Sequence, residues 1–230
     1  MLLVLLACTP STPVALVYRG PAGCDGCSEA VAHALRTADD EWDVHFVGPD
    51  DEDLSPGALA SASLYAQPGG EGTVRAAFGY VEDDADALTA WVADGGRYVG
   101  FCMGGYFAGF DPGYGMLPGD SGQLIAQPGA EVTDEADTTI TVDWGGETRT
   151  LYFQDGPYFV VDDETGVDVL ATYVSTGEIA AMVAPYGDGR VGVVGPHPEA
   201  TQDWYDVEGI TDPDGLDTDL AHELIARVME

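Results

Sequence analysis

A chain of 230 residues, 45% of them hydrophobic, is long enough to bury a substantial core. It carries 41 Asp and Glu against 7 Arg and no Lys, a net charge of -34 at pH 7. Nucleic acid is thereby excluded as a partner, because its phosphates would be repelled and no basic patch exists to release counterions. The acidic residues are spread over 50–53, 82–86, 134–137 and 162–164. They lack the ligand rhythm of a hard-cation loop, so they read as solvated loop positions and no metal site is expected.

In chain order, residues 2–7 are apolar and end at Cys8, before Thr9, Pro10, Ser11, Thr12 and Pro13. Leu5-Leu6-Ala7-Cys8 resembles the lipobox of a bacterial lipoprotein signal, without its basic stretch and with a shorter apolar run. The resemblance implies residues 1–13 as a signal or tether, lipidation at Cys8 and an extracytoplasmic, membrane-anchored protein. The alternative is a core strand or frayed tail of a cytoplasmic chain. No other segment approaches the ~20 apolar residues of a membrane-spanning helix.

From residue 14 the pattern is a buried strand, VALVY, a turn RGPAGCDGC, and a helix SEAVAHALRT with Ala30, Val31, Ala34 and Leu35 on one face. A strand over 42–47 completes the βαβ signature of a parallel sheet. A weak strand over 62–67 runs into Pro68-Gly69-Gly70, and 83–93 reads as a helix with Ala87, Leu88 and Trp91 inward. The buried strand RYVGF then ends at Cys102, and MGGYFAGF starts a helix. In the second half, 138–144 and 148–153 alternate around Gly145-Gly146, a hairpin signal. Strands over 158–161, 167–173, 179–186 and 190–194 follow, then a helix over 217–229 with Leu220, Leu224, Ile225 and Val228 on one face. The expected fold is an α/β flavodoxin-like open sheet, mostly parallel, with flanking helices and an antiparallel extension in the second half. Residues 14–230 read as one domain.

Gly100-Phe101-Cys102-Met103-Gly104-Gly105 has the form of a nucleophile elbow, whose small neighbours let the backbone approach itself closely. At a helix amino terminus the peptide N–H groups favour a thiolate, and the Met103 N–H would meet a developing oxyanion. A nucleophilic thiol wants a base and the base an orienting carboxylate. VGVVGPHPE offers both, with His197 after a buried strand and Glu199 two residues on. His33, His45 and His222 sit on predicted helices and a strand and read as structural or surface residues.

Gly-x-Cys-x-Gly-Gly followed about 95 residues later by His-Pro-Glu resembles the class I glutamine amidotransferases, and Pro68-Gly69-Gly70 their loop with a second oxyanion donor. VYRGPAGC, YVGFCMGGYFAG, LYFQDGPYFV, VDVLATY and GRVGVVGPHPE together resemble the amidotransferase-like amino-terminal domain of biotin-protein ligases, from about residue 14 to 199. The resemblance implies Cys102 as nucleophile, His197 as base, Glu199 as orienter, and Gly70 and Met103 as oxyanion donors. It does not imply biotin ligase activity, which belongs to a separate catalytic domain with a Gly/Arg-rich adenylate loop.

Cys24-Asp25-Gly26-Cys27 admits a redox pair, half a zinc site or a small disulfide. Zinc would need further ligands, and only Cys8, Cys102 and histidines remain. A disulfide bordering the pocket is the expectation for an exported chain. The function expected is thiol-dependent acyl transfer or hydrolysis on a small molecule, of an amide above all, with no cofactor. The alternative is a binding or regulatory module that keeps the pocket, lined by Gly69, Gly104, Gly105, Tyr106 and Phe153, without turnover. Nothing in the sequence speaks to oligomeric state.

Overall fold

The computed structural model describes residues 12–230. The lipobox-like segment with Cys8 lies outside the described residues. Among the described residues no helix is long and apolar enough to cross a membrane.

Val14–Tyr18 forms β1, buried at four of its five positions, as an apolar run must be when both faces of a parallel sheet are covered. Helix α1 (Cys27–Thr37) and strand β2 (Asp43–Val47) follow. Ser55 caps the short α2 (Pro56–Ser61) by accepting from the Ala58 N–H. Then come β3 (Leu64–Gln67), α3 (Val74–Phe78), α4 (Ala85–Ala93), β4 (Arg97–Phe101) and α5 (Met103–Ala108). On α4 Leu88 and Val92 are fully buried, while Ala87 and Trp91 are partly buried against the same core; Trp91 lies where a side chain on Gly96 would strike it.

The second half contributes β5 (Gly119–Gln123), β6 (Thr138–Trp144), β7 (Glu147–Phe153), β8 (Pro157–Val161), β9 (Asp168–Tyr173), β10 (Ile179–Tyr186) and β11 (Gly189–Val194). Helices α6 (Gln202–Glu208) and α7 (Thr218–Met229) close the chain. The main path of the sheet runs β2-β1-β3-β4-β11-β10-β9-β6-β7, with β5 and β8 paired off it. Its first five strands are parallel. β10 reverses direction against β11 and carries the antiparallel extension. The β6–β7 hairpin turns through Gly145 and Gly146 at φ 60° and 93°, values that only glycine adopts without strain.

Two cores lie on opposite faces of the sheet. One packs Val31 and Leu35 of α1 with Leu224 and Val228 of α7 against Val17, Val99 and Phe101. The other packs Leu59, Leu88 and Phe107 of α2, α4 and α5 against Leu16, Tyr65, Tyr98 and Val193. Each such side chain contributes about 1.5–3 kcal/mol on burial. Because the five parallel strands share one direction, Tyr18, Gln67, Phe101 and Val194 end on one edge. The loops that leave this edge hold Cys24, Gly70, Cys102 and His197.

Candidate active site

Phe101 pairs with Val194 in the β4–β11 register, so the two chains leave the sheet side by side. The Cys102 N–H continues the ladder to the Val194 carbonyl at 2.9 Å. There the backbone breaks sharply, with Cys102 at φ 47° and ψ -104°. That conformation strains a residue with a Cβ by about 1–3 kcal/mol. The Cys102 carbonyl accepts from the N–H groups of Gly105 and Tyr106 at 2.8 and 3.1 Å and so starts α5. A side chain on Gly100 would run into the Gly104 backbone, and one on Gly104 into the Gln67 carbonyl. Glycine at both positions lets the helix begin immediately above the strands. As a thiol, Cys102 donates to the Gln154 carbonyl at 3.6 Å.

His197 is fixed by its own backbone, whose N–H donates to the Tyr152 carbonyl of β7 at 2.9 Å. Its ring hydrogen-bonds through Nδ1 to Glu199 Oε1 at 2.9 Å and lies near enough to Cys102 to feel its charge. In the protonated ring Nδ1–H donates to the carboxylate, which leaves Nε2–H as the ring's second donor. All three side chains are shielded, with Cys102 5%, His197 4% and Glu199 1% exposed. Burial alone would lower the imidazole's pKa, but the Glu199 charge and then that of Cys102 outweigh it, and the ring is pushed up to about 10. The second oxygen of Glu199, Oε2, has no partner among the described residues.

The Pro68-Gly69-Gly70 loop closes the other side. A Cβ on Gly69 would lie 2.6 Å from His197 Cε1, and one on Gly70 3.0 Å from Met103 Cγ. Among the described residues neither the Gly70 nor the Met103 N–H has an acceptor. The Gly69 carbonyl accepts from the Cys24 N–H at 3.0 Å, and Cys24 is joined to Cys27 by a disulfide with a Cα separation of 5.3 Å. The loop is thus tied to the disulfide turn and touches the histidine ring. Two cavities meet here and share Gly70, Glu71 and Gln154. One, of about 610 Å³, reaches Cys102, Met103, Tyr106 and Asp155. The other, of about 650 Å³, reaches Cys24, His197, Tyr152 and Trp204.

Residues 14–115 match the family model "Biotin-protein ligase, N terminal". A glutamine amidotransferase from Thermotoga maritima superimposes with a TM-score of 0.60 at 13% identity, covering 96% of this chain and 100% of that one. Residues 14–115 thus resemble the biotin-protein ligase N-terminal domain, and the chain as a whole has an amidotransferase-like fold. A cytoplasmic protein of Salmonella typhimurium gives a TM-score of 0.55 at 13% identity over 93% of this chain and 98% of that one. An exo-β-1,4-mannosidase from an Opitutaceae bacterium gives 0.54 at 14% identity, with 94% of this chain but 36% of the enzyme covered. At such identities the likeness is one of fold. No curated protein matches the sequence.

Within this amidotransferase-like domain the expected pocket residues divide. Tyr106 lines the Cys102 cavity and donates its hydroxyl to the Asp155 carbonyl at 3.1 Å. Gly104 and Gly105 are buried beneath the elbow and line neither cavity; they serve close packing, Gly105 against Phe159 and Pro157. Phe153 does not line the pocket. It is fully buried and packs edge-on against Tyr173. Its neighbours Tyr152 and Gln154 face the cleft instead, because alternate residues of a strand point to opposite sides. The expected aromatic wall is displaced by one residue. Tyr152, Asp137 and Trp204 are additional cleft residues. The Tyr152 hydroxyl donates to Asp137 Oδ1 at 2.5 Å, and the Gln154 amide to Asp137 Oδ2 at 3.2 Å. Among the described residues no group of three or more His, Cys, Asp or Glu could hold a metal ion. Of the other histidines, His45 pairs with Asp43 and His222 meets Thr37, both away from the cleft.

Proposed function

We propose that this domain catalyses thiol-dependent acyl transfer or hydrolysis, with an amide as the bond cleaved. The observation that carries the reading is a buried His197 ring, hydrogen-bonded to a buried carboxylate and near the sulfur of a strained strand-to-helix turn. An imidazolium beside a sulfur stabilises the thiolate, the nucleophilic form. In the proposed sequence the Cys102 sulfur attacks the carbonyl carbon, and the oxygen takes up negative charge between the N–H groups of Gly70 and Met103. Their lack of an acceptor among the described residues suits that role. His197 gives its proton to the leaving nitrogen, the C–N bond breaks, and a thioester remains on Cys102. A second nucleophile then adds while neutral His197 takes its proton, and the thiolate–imidazolium pair is restored. Glu199 fixes the ring orientation throughout, as the third member of such a group does.

The test is intact-mass analysis after exposure to a panel of electrophilic amides and esters, with Cys102→Ala as control. An adduct on the wild-type chain that is absent from Cys102→Ala is expected. A panel that labels neither protein, or both equally, would sink the proposal and favour a domain that binds without turnover.

A further inference from the structure

The cleft is two-sided. Cys102 opens into one cavity and His197 into the other, with Gly70, Glu71 and Gln154 common to both. A hydrolase needs room for one organic substrate, since water arrives through any gap. A transferase needs a second chamber from which the acceptor reaches the thioester past the base. The chamber of about 650 Å³ on the His197 side has that size and position. Tyr152 and Trp204 form its aromatic wall, 5.3 Å apart edge to face, with Trp204 5.2 Å from the imidazole. Asp137 is held on the same wall by Tyr152 and Gln154. Asp203 and Glu208 add further negative charge, and no Arg lines the chamber among the described residues.

An acidic lining alone would mean little in a chain with a net charge of -34. What is particular here is the convergence of an oriented carboxylate and two aromatic side chains beside the proposed base, the chemistry that recognises an organic ammonium. We infer that the His197-side cavity is an acceptor subsite for a primary amine, which makes the domain an amide-forming acyltransferase. The inference rests on the acyl-transfer reading above. The ammonium loses one proton to solvent inside the chamber. The free amine attacks the Cys102 thioester while His197 takes its second proton. The C–S bond breaks, and the products are a new amide and the Cys102 thiolate beside the His197 imidazolium.

The experiment reads how one acyl-enzyme divides between two fates. Wild type is acylated with p-nitrophenyl acetate in the presence of 1,5-diaminopentane or of β-alanine, and acetamide and acetate products are counted by mass spectrometry. The ratio cancels any change in acylation. It should saturate with the diamine and exceed that for β-alanine by at least about tenfold, since a carboxylate-bearing amine is repelled. Trp204→Ala and Asp137→Asn should each lower it about fivefold. A ratio linear in amine, equal for the two amines and indifferent to both variants overturns the inference. In parallel, Cys102→Ala is titrated calorimetrically with 1,5-diaminopentane in roughly 0.5 M NaCl, which screens diffuse attraction. Saturable binding in Cys102→Ala, with no acyl-enzyme on wild type, removes the acyl-transfer reading and keeps an amine site. An acyl-enzyme on wild type without diamine binding removes the acceptor subsite.

Discussion

Glu199→Gln keeps the shape of the side chain and removes the charge that faces the imidazole. With Oε1 2.9 Å from Nδ1, a unit charge pair at an effective dielectric of ~20 is worth about 6 kcal/mol. The ring is held up to about 10 from an ordinary 6.5, a rise equivalent to about 5 kcal/mol that Glu199 and Cys102 share against the opposing effect of burial. Loss of the carboxylate should bring the His197 midpoint down by two units or more, about 3 kcal/mol. The direct assay is the Cε1 resonance of His197, assigned by its absence from His197→Gln and followed against pH. Stability supplies the second reading. A folded value above the unfolded one means that the imidazolium's contribution is complete below about pH 6.5 and is lost as pH rises through about 10. Urea unfolding at pH 6 and pH 10 should therefore show a much larger alkaline loss in wild type than in Glu199→Gln. A wild-type His197 that titrates near 6.5, or a midpoint unmoved by Glu199→Gln, would show that the carboxylate does not hold the proton on the ring.

Three further outcomes are expected. Gly69→Ala places a methyl group 2.6 Å from His197 Cε1 and 3.4 Å from Cys27 Sγ, so the ring must shift; stability should fall by about 1–3 kcal/mol and Cys102 should alkylate more slowly, which thermal unfolding and timed mass analysis would read. Cys102→Gly relieves a φ of 47° and should unfold at least as high as Cys102→Ala, which keeps the strained Cβ; a lower melting temperature for the glycine variant would count against strain at the elbow. Asp217 is buried at the start of α7, and burial pushes its carboxyl up to about 7 although Arg149 lies 2.8 Å away and pulls it down. Its contribution is present below about pH 4 and is lost as pH rises through 7, so Asp217→Asn should gain on wild type by as much as about 4 kcal/mol over that interval in urea titrations.

The parts legible in the sequence were those set by local pattern. Apolar runs at 14–18 and 97–101, the Gly145-Gly146 turn and the glycines around Cys102 each state their conformation within a few residues. Short helices were not legible: α2, α3 and α6 span five to seven residues, too few for a period to show. Strand order is not written locally either, and β10 takes its place between β11 and β9 only through the tertiary ladder. Phe153 shows how a correct region gives a wrong residue, since one step along a strand exchanges core for cleft. Trp204 carried no motif; its place beside His197 follows from where α6 lands after the His-Pro-Glu turn. That the cleft has two chambers depends on Tyr152, Gln154 and Gly70 meeting from three separate segments.

Activation of the Cys102 sulfur by His197 is the step on which the proposed chemistry depends. The most direct measurement is the second-order rate of Cys102 alkylation by iodoacetamide at pH 7, read by peptide mass in wild type and His197→Ala. A wild-type rate well above that of a cysteine in an unstructured peptide is expected, with a fall to the peptide rate in His197→Ala. A wild-type rate no higher than the peptide's, unchanged by His197→Ala, would contradict that activation.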